Sequence, residues 1–388
     1  MAGSIKDKVA IVGAGCVKFG DNFERSYTDM ATEAGLLAMK DAGIESDRIE
    51  AAWLGTYLPN NGLGKAGSSI SDPLHLYGIP ITRVENYCAT GTDAFRNAAI
   101  AVASGMYDVV LVLGCEKMKD RAARGIPRVE HPSIGKGTSA PALFALAANR
   151  YMKEFGMTRE TLAKVAVKNH YNGARNKLAH MQKEVTEDQV LSAPMISYPF
   201  GLFDCCPTTD GAAALILCKA EIAKQFRDDP VLVKGVGLAA YSHKPYYDPT
   251  FDYLGFLSTQ KAASMAYEMA GVKDPAKEID LAEVHDCFTW TEITNYEDLG
   301  FCKKGEGRHL IEEGRTALTG DIPVNPSGGL KSFGHPIGAS GVRMLYEVTT
   351  QLRGQGGERQ VKDARLGLAH NVGGPGAVSC VSVLGRAD

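Results

Sequence analysis

The sequence predicts an α/β fold made of two related halves, one of which carries a large insertion. Three observations point there. Short apolar runs alternate with Ala-rich helical stretches along the chain. The same order of runs returns in the second part of the sequence. Finally, roughly 95 residues separate "DVVLVLG" from its matching strand "GAAALILC", about three times a single βαβ unit and too much for a plain loop.

The first half opens with a buried strand, "KVAIVGAG" (8–15). The helix "TDMATEAGLLAMKDAGI" (28–44) follows, with Thr28 as its expected cap and Gly43 at its end. "IEAAWLGT" (49–56) is a strand, "GTDAFRNAAIAVASG" (91–105) a helix closed by Gly105, and "DVVLVLGCE" (108–116) another buried strand. In the second half "PVLVKGVG" (230–237) matches the first strand. The helix "TQKAASMAYEMAGV" (259–272) ends in Ala-Gly as the first one does. "IDLAEVHD" (279–286) aligns with "IEAAWLGT", "GASGVRMLYEVTTQLRG" (338–354) is a helix, and "ARLGLAHN" (364–371) is a buried strand that turns into "AVSCVSVL". The copies are expected to differ in one place, the insertion. This gives an N-terminal half of residues 1–117 plus 200–225, an inserted loop subdomain at 118–199, and a C-terminal half at 226–388. Insertions of this kind usually shape a substrate site.

The 388 residues suit two related domains, and 45% hydrophobic with 22% charged residues is a globular composition. A formal net charge of −3 gives no reason to invoke nucleic acid. Nine cysteines without regular spacing read as reduced thiols of a cytoplasmic protein, with no zinc-ribbon pattern and no metal site. No targeting segment, peroxisomal C-terminus or apolar run of membrane length is expected.

Several clusters carry chemistry. In "ENYCATGTDAF", Cys88 sits in a turn ahead of a helix, where the helix N-terminus lowers a thiol pKa and offers N–H groups to an oxyanion. A buried structural cysteine is an equal alternative from this stretch alone. In "NPSGGLKSFGHPIGASG" (325–341), five glycines bracket His335, which also precedes a helix. The duplication makes this the counterpart of the Cys88 turn, so a Cys–His pair would face across the two halves. "AHNVGGPGA" (369–377) offers exposed backbone N–H groups in a glycine turn, or is an ordinary hairpin. "HDCF" (285–288) puts an imidazole, a carboxylate and a thiol where an apolar strand ends.

Taken together, "CATG", "HDCF", "NPSGGL…GHPIGASG" and "NVGGPGA" resemble the ordered signature blocks of the thiolase superfamily. The resemblance covers nearly the whole chain and is nearest to the branch of sterol-carrier-protein-type and archaeal or bacterial acetyl-CoA acetyltransferase-like thiolases. Common thiolases carry an Asn-Glu block where this chain has "HDCF", and a second catalytic Cys where it has Asn371.

The resemblance implies a duplicated thiolase fold in five layers, α-β-α-β-α, and reversible Claisen chemistry on CoA thioesters. Coenzyme A is then a co-substrate, and no cofactor is bound permanently. It implies Cys88 as nucleophile, His335 as its partner and Cys287 as acid/base. One oxyanion hole would be formed by His285 and His335, the other by the backbone N–H groups of Cys88 and Gly373. A thiol's ordinary pKa, near 8.5, suits reversible proton transfer to carbon.

Asp286 reads as support and Phe288 as packing. Asp210 reads as a turn or cap, and Cys205 and Cys206 as buried packing. Lys136, with His131, is a candidate contact for the CoA phosphates, against a solvated loop. "GAG" at 13–15 is too short for a dinucleotide fingerprint. The aromatic stretch "YSHKPYYDPTFDYLGF" (241–256) suits an acyl pocket or an oligomer interface equally. The family is dimeric or tetrameric, and some relatives bind a small zinc-ribbon/OB-fold partner. The substrate stays open among acetoacetyl-, longer, aromatic and dicarboxylic acyl-CoA. Two other readings compete. A decarboxylating ketoacyl synthase uses one Cys and two His and has no need of Cys287. A non-catalytic acyl-CoA-binding scaffold needs none of the four.

Overall fold

The computed structural model describes residues 4–58, 64–120, 139–241 and 252–387. Strands run β1 Val9–Cys16, β2 Ala51–Gly55, β3 Ile81–Val84, β4 Val109–Glu116, β5 Met195–Ser197, β6 Phe200–Gly201, β7 Gly211–Lys219, β8 Val231–Ala240, β9 Leu281–Glu283, β10 Leu366–Gly373 and β11 Val378–Arg386. Helices run α1 Tyr27–Ala42, α2 Ser71–Leu74, α3 Thr90–Ala103, α4 Ala140–Phe155, α5 Arg159–Ala174, α6 Glu187–Ser192, α7 Leu257–Ala270, α8 Pro275–Glu278, α9 Thr289–Asp298, α10 Gly307–Glu312, α11 Gly329–Phe333 and α12 Ile337–Leu352.

Glycines decide how the outer helices meet the sheet. A Cβ on Gly13 would come within 2.2 Å of the Ala38 carbonyl oxygen, and one on Gly15 within 2.5 Å of that of Ala34. In the second half, Gly235 and Gly237 stand in the same relation to the carbonyl oxygens of Ala266 and Ala262, at 2.2 and 2.0 Å. Each half thus presses an Ala-lined helix, α1 or α7, directly onto the backbone of its first strand. This explains the short "GAG" as packing. Gly43 (φ 67°) and Gly271 (φ 83°) close the two helices in the left-handed conformation. The cap of α1 is Ser26 rather than Thr28. The Ser26 hydroxyl accepts from the Asp29 N–H at 3.1 Å and the Asp29 carboxylate accepts from the Ser26 N–H at 2.8 Å. Ser26 is extended, whereas Thr28 already lies within the first helical turn.

The large sheet has the order β3-β2-β4-β7-β1-β8-β11-β10-β9. Its first five strands belong to one half and the rest repeat them from the seam outward: β8 answers β1, β11 answers β7, β10 answers β4 and β9 answers β2. The parallel and antiparallel pairings match strand for strand. A parallel bridge between Ala282 and Val324 stands where the second half would have its β3. At the seam, β1 and β8 share only the pairs Ala10–Leu232 and Ile11–Val231. Helices α3 and α12 pack on each other between the two half-sheets, and α1 and α7 cover the outside. The result is the five-layered duplicated α/β arrangement.

Two differences from the sequence expectation position the site. The strand expected over 279–286 stays in the sheet only at Leu281–Glu283. The Val284 N–H is captured by the Asn325 side-chain oxygen at 2.8 Å, so the chain leaves the sheet before His285. The copies also differ in a second place. Between β9 and α12 the C-terminal half holds α9, α10 and α11, and all three pack on α5 of the insertion. Among the described residues no helix is long and apolar enough to cross a membrane, and all nine cysteines are free thiols.

Candidate active site

The central helices meet at glycines. A Cβ on Gly91 would sit 2.8 Å from the Gly338 carbonyl oxygen, and one on Gly341 would sit 2.3 Å from the Thr92 nitrogen. With no side chains in the way, the N-termini of α3 and α12 cross in contact. The residues just before them, Cys88 and His335, therefore come together from opposite halves. The Cys88 sulfur and one ring nitrogen each of His285 and His335 all lie within 4.8 Å of one another. The two imidazoles meet edge to face, with centroids 5.2 Å apart.

The Cys88 turn is held locally. The Thr90 hydroxyl donates to the Tyr87 carbonyl oxygen at 2.5 Å and accepts from the Asn86 N–H at 2.8 Å. Tyr87 takes a left-handed conformation (φ 50°), rare for a residue with a Cβ and typical of a functional turn. Gly373 packs against this turn: a Cβ there would lie 2.8 Å from the Asn86 carbonyl oxygen. Burial pushes the Cys88 thiol up to about 12, partly offset by a backbone N–H from Gly374, the residue after Gly373. The lowering expected from the helix N-terminus is therefore outweighed by burial, and Cys88 rests as a neutral thiol.

Surrounding side chains give the two histidines opposite tautomers. His335 Nδ1 lies 2.7 Å from the Ser340 oxygen, whose own proton goes to the Pro336 carbonyl at 3.0 Å. Ser340 must then accept, so Nδ1 carries the hydrogen. Nε2 is left as a bare lone pair, buried and without a hydrogen-bond partner among the described residues. At His285 the order is reversed. The Asn371 amide oxygen accepts from the Thr92 hydroxyl, which turns the amide NH2 toward His285 Nδ1 at 3.2 Å. Nδ1 accepts there, and His285 carries its hydrogen on Nε2. Burial and the Arg343 guanidinium hold His335 down to about 3. Burial, His335, His370 and Arg343 hold His285 well below its ordinary value. Both rings are neutral near pH 7, one a base and the other a donor.

Cys287 is buried with its sulfur 3.8 Å from the Thr291 hydroxyl. Its thiol is pushed well above its usual value by burial, then by the neighbouring thiols of Cys206 and Cys88. It does not share the mutual spacing of the other three side chains.

The remaining two members of the quartet hold it in place. Asp286 accepts from the N–H groups of Leu330 (2.5 Å) and Lys331 (3.2 Å) at the start of α11, and from the Asn169 amide at 2.8 Å. Burial and then Glu292 push its carboxyl up to about 7. Phe288 stacks on Phe200 with centroids 5.1 Å apart and forms a wall. Asp210 takes the structural role. It pairs with Lys117 at 2.6 Å and accepts from the N–H groups of Met118 and Lys119.

Sequence reasoning missed the support behind this quartet. Helix α5 of the insertion supplies Asn169, which bridges Asp286 and Glu292, and Lys168, paired with Glu292 at 2.9 Å. Glu116 at the end of β4 accepts from the N–H groups of Tyr57, Leu58 and Gly338, tying α12 to the first half. The only signal available was a set of polar residues at apolar positions, such as Glu292 in "WTEITNY". Lys136 and His131 lie outside the described residues, as does 242–251 of the aromatic stretch. Phe256, from the same stretch, is buried against Trp290.

Residues 9–193 match the thiolase N-terminal domain and residues 240–386 the thiolase C-terminal domain-like family. The chain belongs to the thiolase family. It is 43% identical over 385 residues to an acetyl-CoA acetyltransferase of Methanothermobacter thermautotrophicus, covering 97% of this chain and 99% of that one. It is also 36% identical to sterol carrier protein 2 of Gallus gallus, over 97% of this chain and 72% of the relative. Among solved structures, an Ltp2–ChsH2(DUF35) aldolase superposes with a TM-score of 0.84 at 25% identity, over 99% of each chain. The Acat5 thiolase of Ascaris suum in complex with coenzyme A superposes at 0.70 with 20% identity, over 98% of this chain and 100% of that one, which is a likeness of fold. The protein is thus an acyltransferase of the thiolase type, in the branch that pairs archaeal acetyl-CoA acetyltransferases with sterol-carrier-protein-2-like thiolases.

Proposed function

We propose that this thiolase-family protein cleaves, or in reverse forms, a β-ketoacyl-CoA through an acyl-enzyme on Cys88. The observation that carries this reading is the opposed pair of tautomers around one thiol. The bare Nε2 of His335 takes the Cys88 proton as sulfur attacks the keto carbon. The imidazolium so formed and the Nε2–H of His285 then face the thioester enolate oxygen. Backbone N–H groups at Cys88 and in the 373–374 turn serve the tetrahedral oxyanion. Cys287, kept protonated by burial, donates to the carbanion as the Cα–Cβ bond breaks. Free CoA, deprotonated by Cys287, then removes the acyl group, and His335 returns its proton to Cys88.

The division into residues 1–117 with 200–225, 118–199 and 226–388 accompanies this reading, with the insertion supporting both CoA and the "HDCF" corner through α5. Coenzyme A is the co-substrate, and no permanent cofactor is required by these steps. A homodimer or tetramer is supported by β3, which lies at the edge of the sheet with one side unpaired among the described residues. A small zinc-ribbon/OB-fold partner is supported by the DUF35 subunit named with the similar aldolase. Nine free thiols favour a reducing, cytoplasmic setting.

That same neighbour motivates a second reading, a retro-aldol cleavage, which forms no acyl-enzyme. One experiment separates the two. A panel of β-ketoacyl- and β-hydroxyacyl-CoA esters is assayed for cleavage with and without free CoA and candidate partner subunits, and the protein is examined by mass spectrometry for an acyl adduct on Cys88. The thiolase reading expects both cleavage and adduct. Cleavage of a β-hydroxyacyl-CoA without any adduct overturns it in favour of the aldolase.

A further inference from the structure

The acid/base thiol of the proposed reaction is buried, with Cys287 only 6% exposed. In cleavage the CoA thiol restores the proton that Cys287 gives up, but without free CoA that proton must exchange with solvent by another path. A neighbouring strip of chain offers one. Cys205 and Phe288 form an antiparallel bridge, and the Cys206 N–H donates to the Cys287 carbonyl oxygen at 2.9 Å. Side chains alternate across such a ladder, so Cys206 stands opposite Cys287 on one face while Phe288 points to the other, against Phe200. Cys206 and Cys88 each disfavour a charge on Cys287, and Cys88 disfavours one on Cys206. Residues 205–208 are half-buried where Cys287 is enclosed, so Cys206 lies on the way out.

A cation stands beside it. Lys331 is buried, and its ammonium donates to the Cys205 carbonyl oxygen at 2.6 Å. Asp204 and Asp286 are the carboxylates near it, and His170 is a further titratable neighbour, held down to about 4 by burial and by Lys331 itself. Burial raises the Cys206 thiol, and Lys331 is the nearby charge that opposes that rise.

Building on the acyl-enzyme reading, we propose that Cys206 relays the proton between Cys287 and solvent, its transient thiolate being stabilised by the Lys331 ammonium. The step balances without any other reactant. Cys287 gives its proton to the carbanion and becomes a thiolate. In the half-reaction without free CoA, the Cys206 S–H bond breaks as the Cys287 S–H bond re-forms, and the Cys206 thiolate then takes a proton from water. In reverse the relay carries a proton from the methyl group of acetyl-CoA to solvent.

The test is deuterium wash-in. Acetyl-CoA is incubated with the full-length protein in D2O and label in the acetyl methyl group is followed by mass spectrometry. Acylation of Cys88 by the same ester is measured in the same preparations. For Cys206→Ala, wash-in falls on the order of tenfold or more while acylation keeps its rate, because only the carbon acid step uses the relay. Cys206→Ser keeps the acylation rate as well, and its slower wash-in rises with pH. Lys331→Met moves the wash-in profile to higher pH. Wash-in unchanged in Cys206→Ala overturns the relay, and so does a parallel loss of wash-in and acylation, which marks a packing role. If the unaltered protein forms no acyl adduct, the acyl-enzyme reading fails and the relay with it. An adduct together with unaffected wash-in in the variants removes the relay alone.

Discussion

The two halves share strand order, pairing, outer-helix packing and a central helix, yet their equivalent turns do different work. The first half places a thiol on a short, locally strained turn ahead of α3. The second places an imidazole ahead of α12, inside a long excursion of buried polar residues. In it Asp286, Glu292, Asn325 and the Glu283–Arg343 pair are all enclosed. A nucleophile needs only a tight turn and a close base. Fixing tautomers and a buried acid needs many partners, and these come from the insertion and from the second half together. The sheet order and the main helices repeat, while the proposed chemistry is divided between the halves.

The largest effect expected on this division is at the proposed nucleophile. Cys88→Ala should lower CoA-dependent turnover on the order of 10⁴-fold or more and remove the acyl adduct. His335→Ala, from the other half, should come next at about 10²–10⁴-fold, read from single-turnover acylation. An alanine at either place that leaves turnover intact would break the assignment of roles. Asn371→Asp sharpens it further. A carboxylate there accepts from Nδ1, which moves the hydrogen of His285 away from the site. The loss should be about 10²–10³-fold in kcat, as for a removed oxyanion donor, with the melting temperature little changed. Gly91→Ala tests the crossing of the halves. The added methyl meets the Gly338 carbonyl oxygen and should cost about 1–3 kcal/mol in urea unfolding.

The smallest expected effect is an absence of change with pH. His335 is held near 3 by burial and Arg343, so it stays neutral, and able to accept a proton, well below its ordinary 6.5. The kcat/KM of the proposed cleavage should therefore show no acid limb from His335 between pH 7 and 5. A limb near 6.5 that His335→Gln abolishes would show a solvated ring. A lowered histidine leaves stability unaffected above 6.5, where both states are neutral, and destabilises the fold increasingly as the pH falls from 6.5 toward 3, because only the unfolded state then binds the proton.

Much of the scaffold was legible because it is written in local pattern. Apolar runs, Ala-rich helices and their closing glycines repeat in register, and the glycine turns around Cys88 and His335 mark where the chain must pass closely. What escaped the sequence depends on contacts across long separations. Ser26 displaces Thr28 as cap through a reciprocal bond that two plausible cap residues so close together do not distinguish in advance. The tautomers of His335 and His285 rest on where the Ser340 and Asn371 side chains send their hydrogens. Asn371 reaches His285 across 86 residues of sequence. The raised Cys88 thiol reflects burial, which no turn motif reports. Cys206 looked like packing because its partnership with Cys287 exists only once residues 205–206 lie along 287–288.

The crossing of α3 and α12 has a consequence for symmetry. The topology is that of a half-length chain paired with itself about a two-fold axis, with two identical turns facing each other. In such a pair every substitution appears twice, so the facing turns could hold two thiols or two imidazoles, never one of each. Two copies in one polypeptide are free of that restriction. The two halves meet at β1 and β8 through only two residue pairs, and unlike residues at like positions are what a single chain makes available.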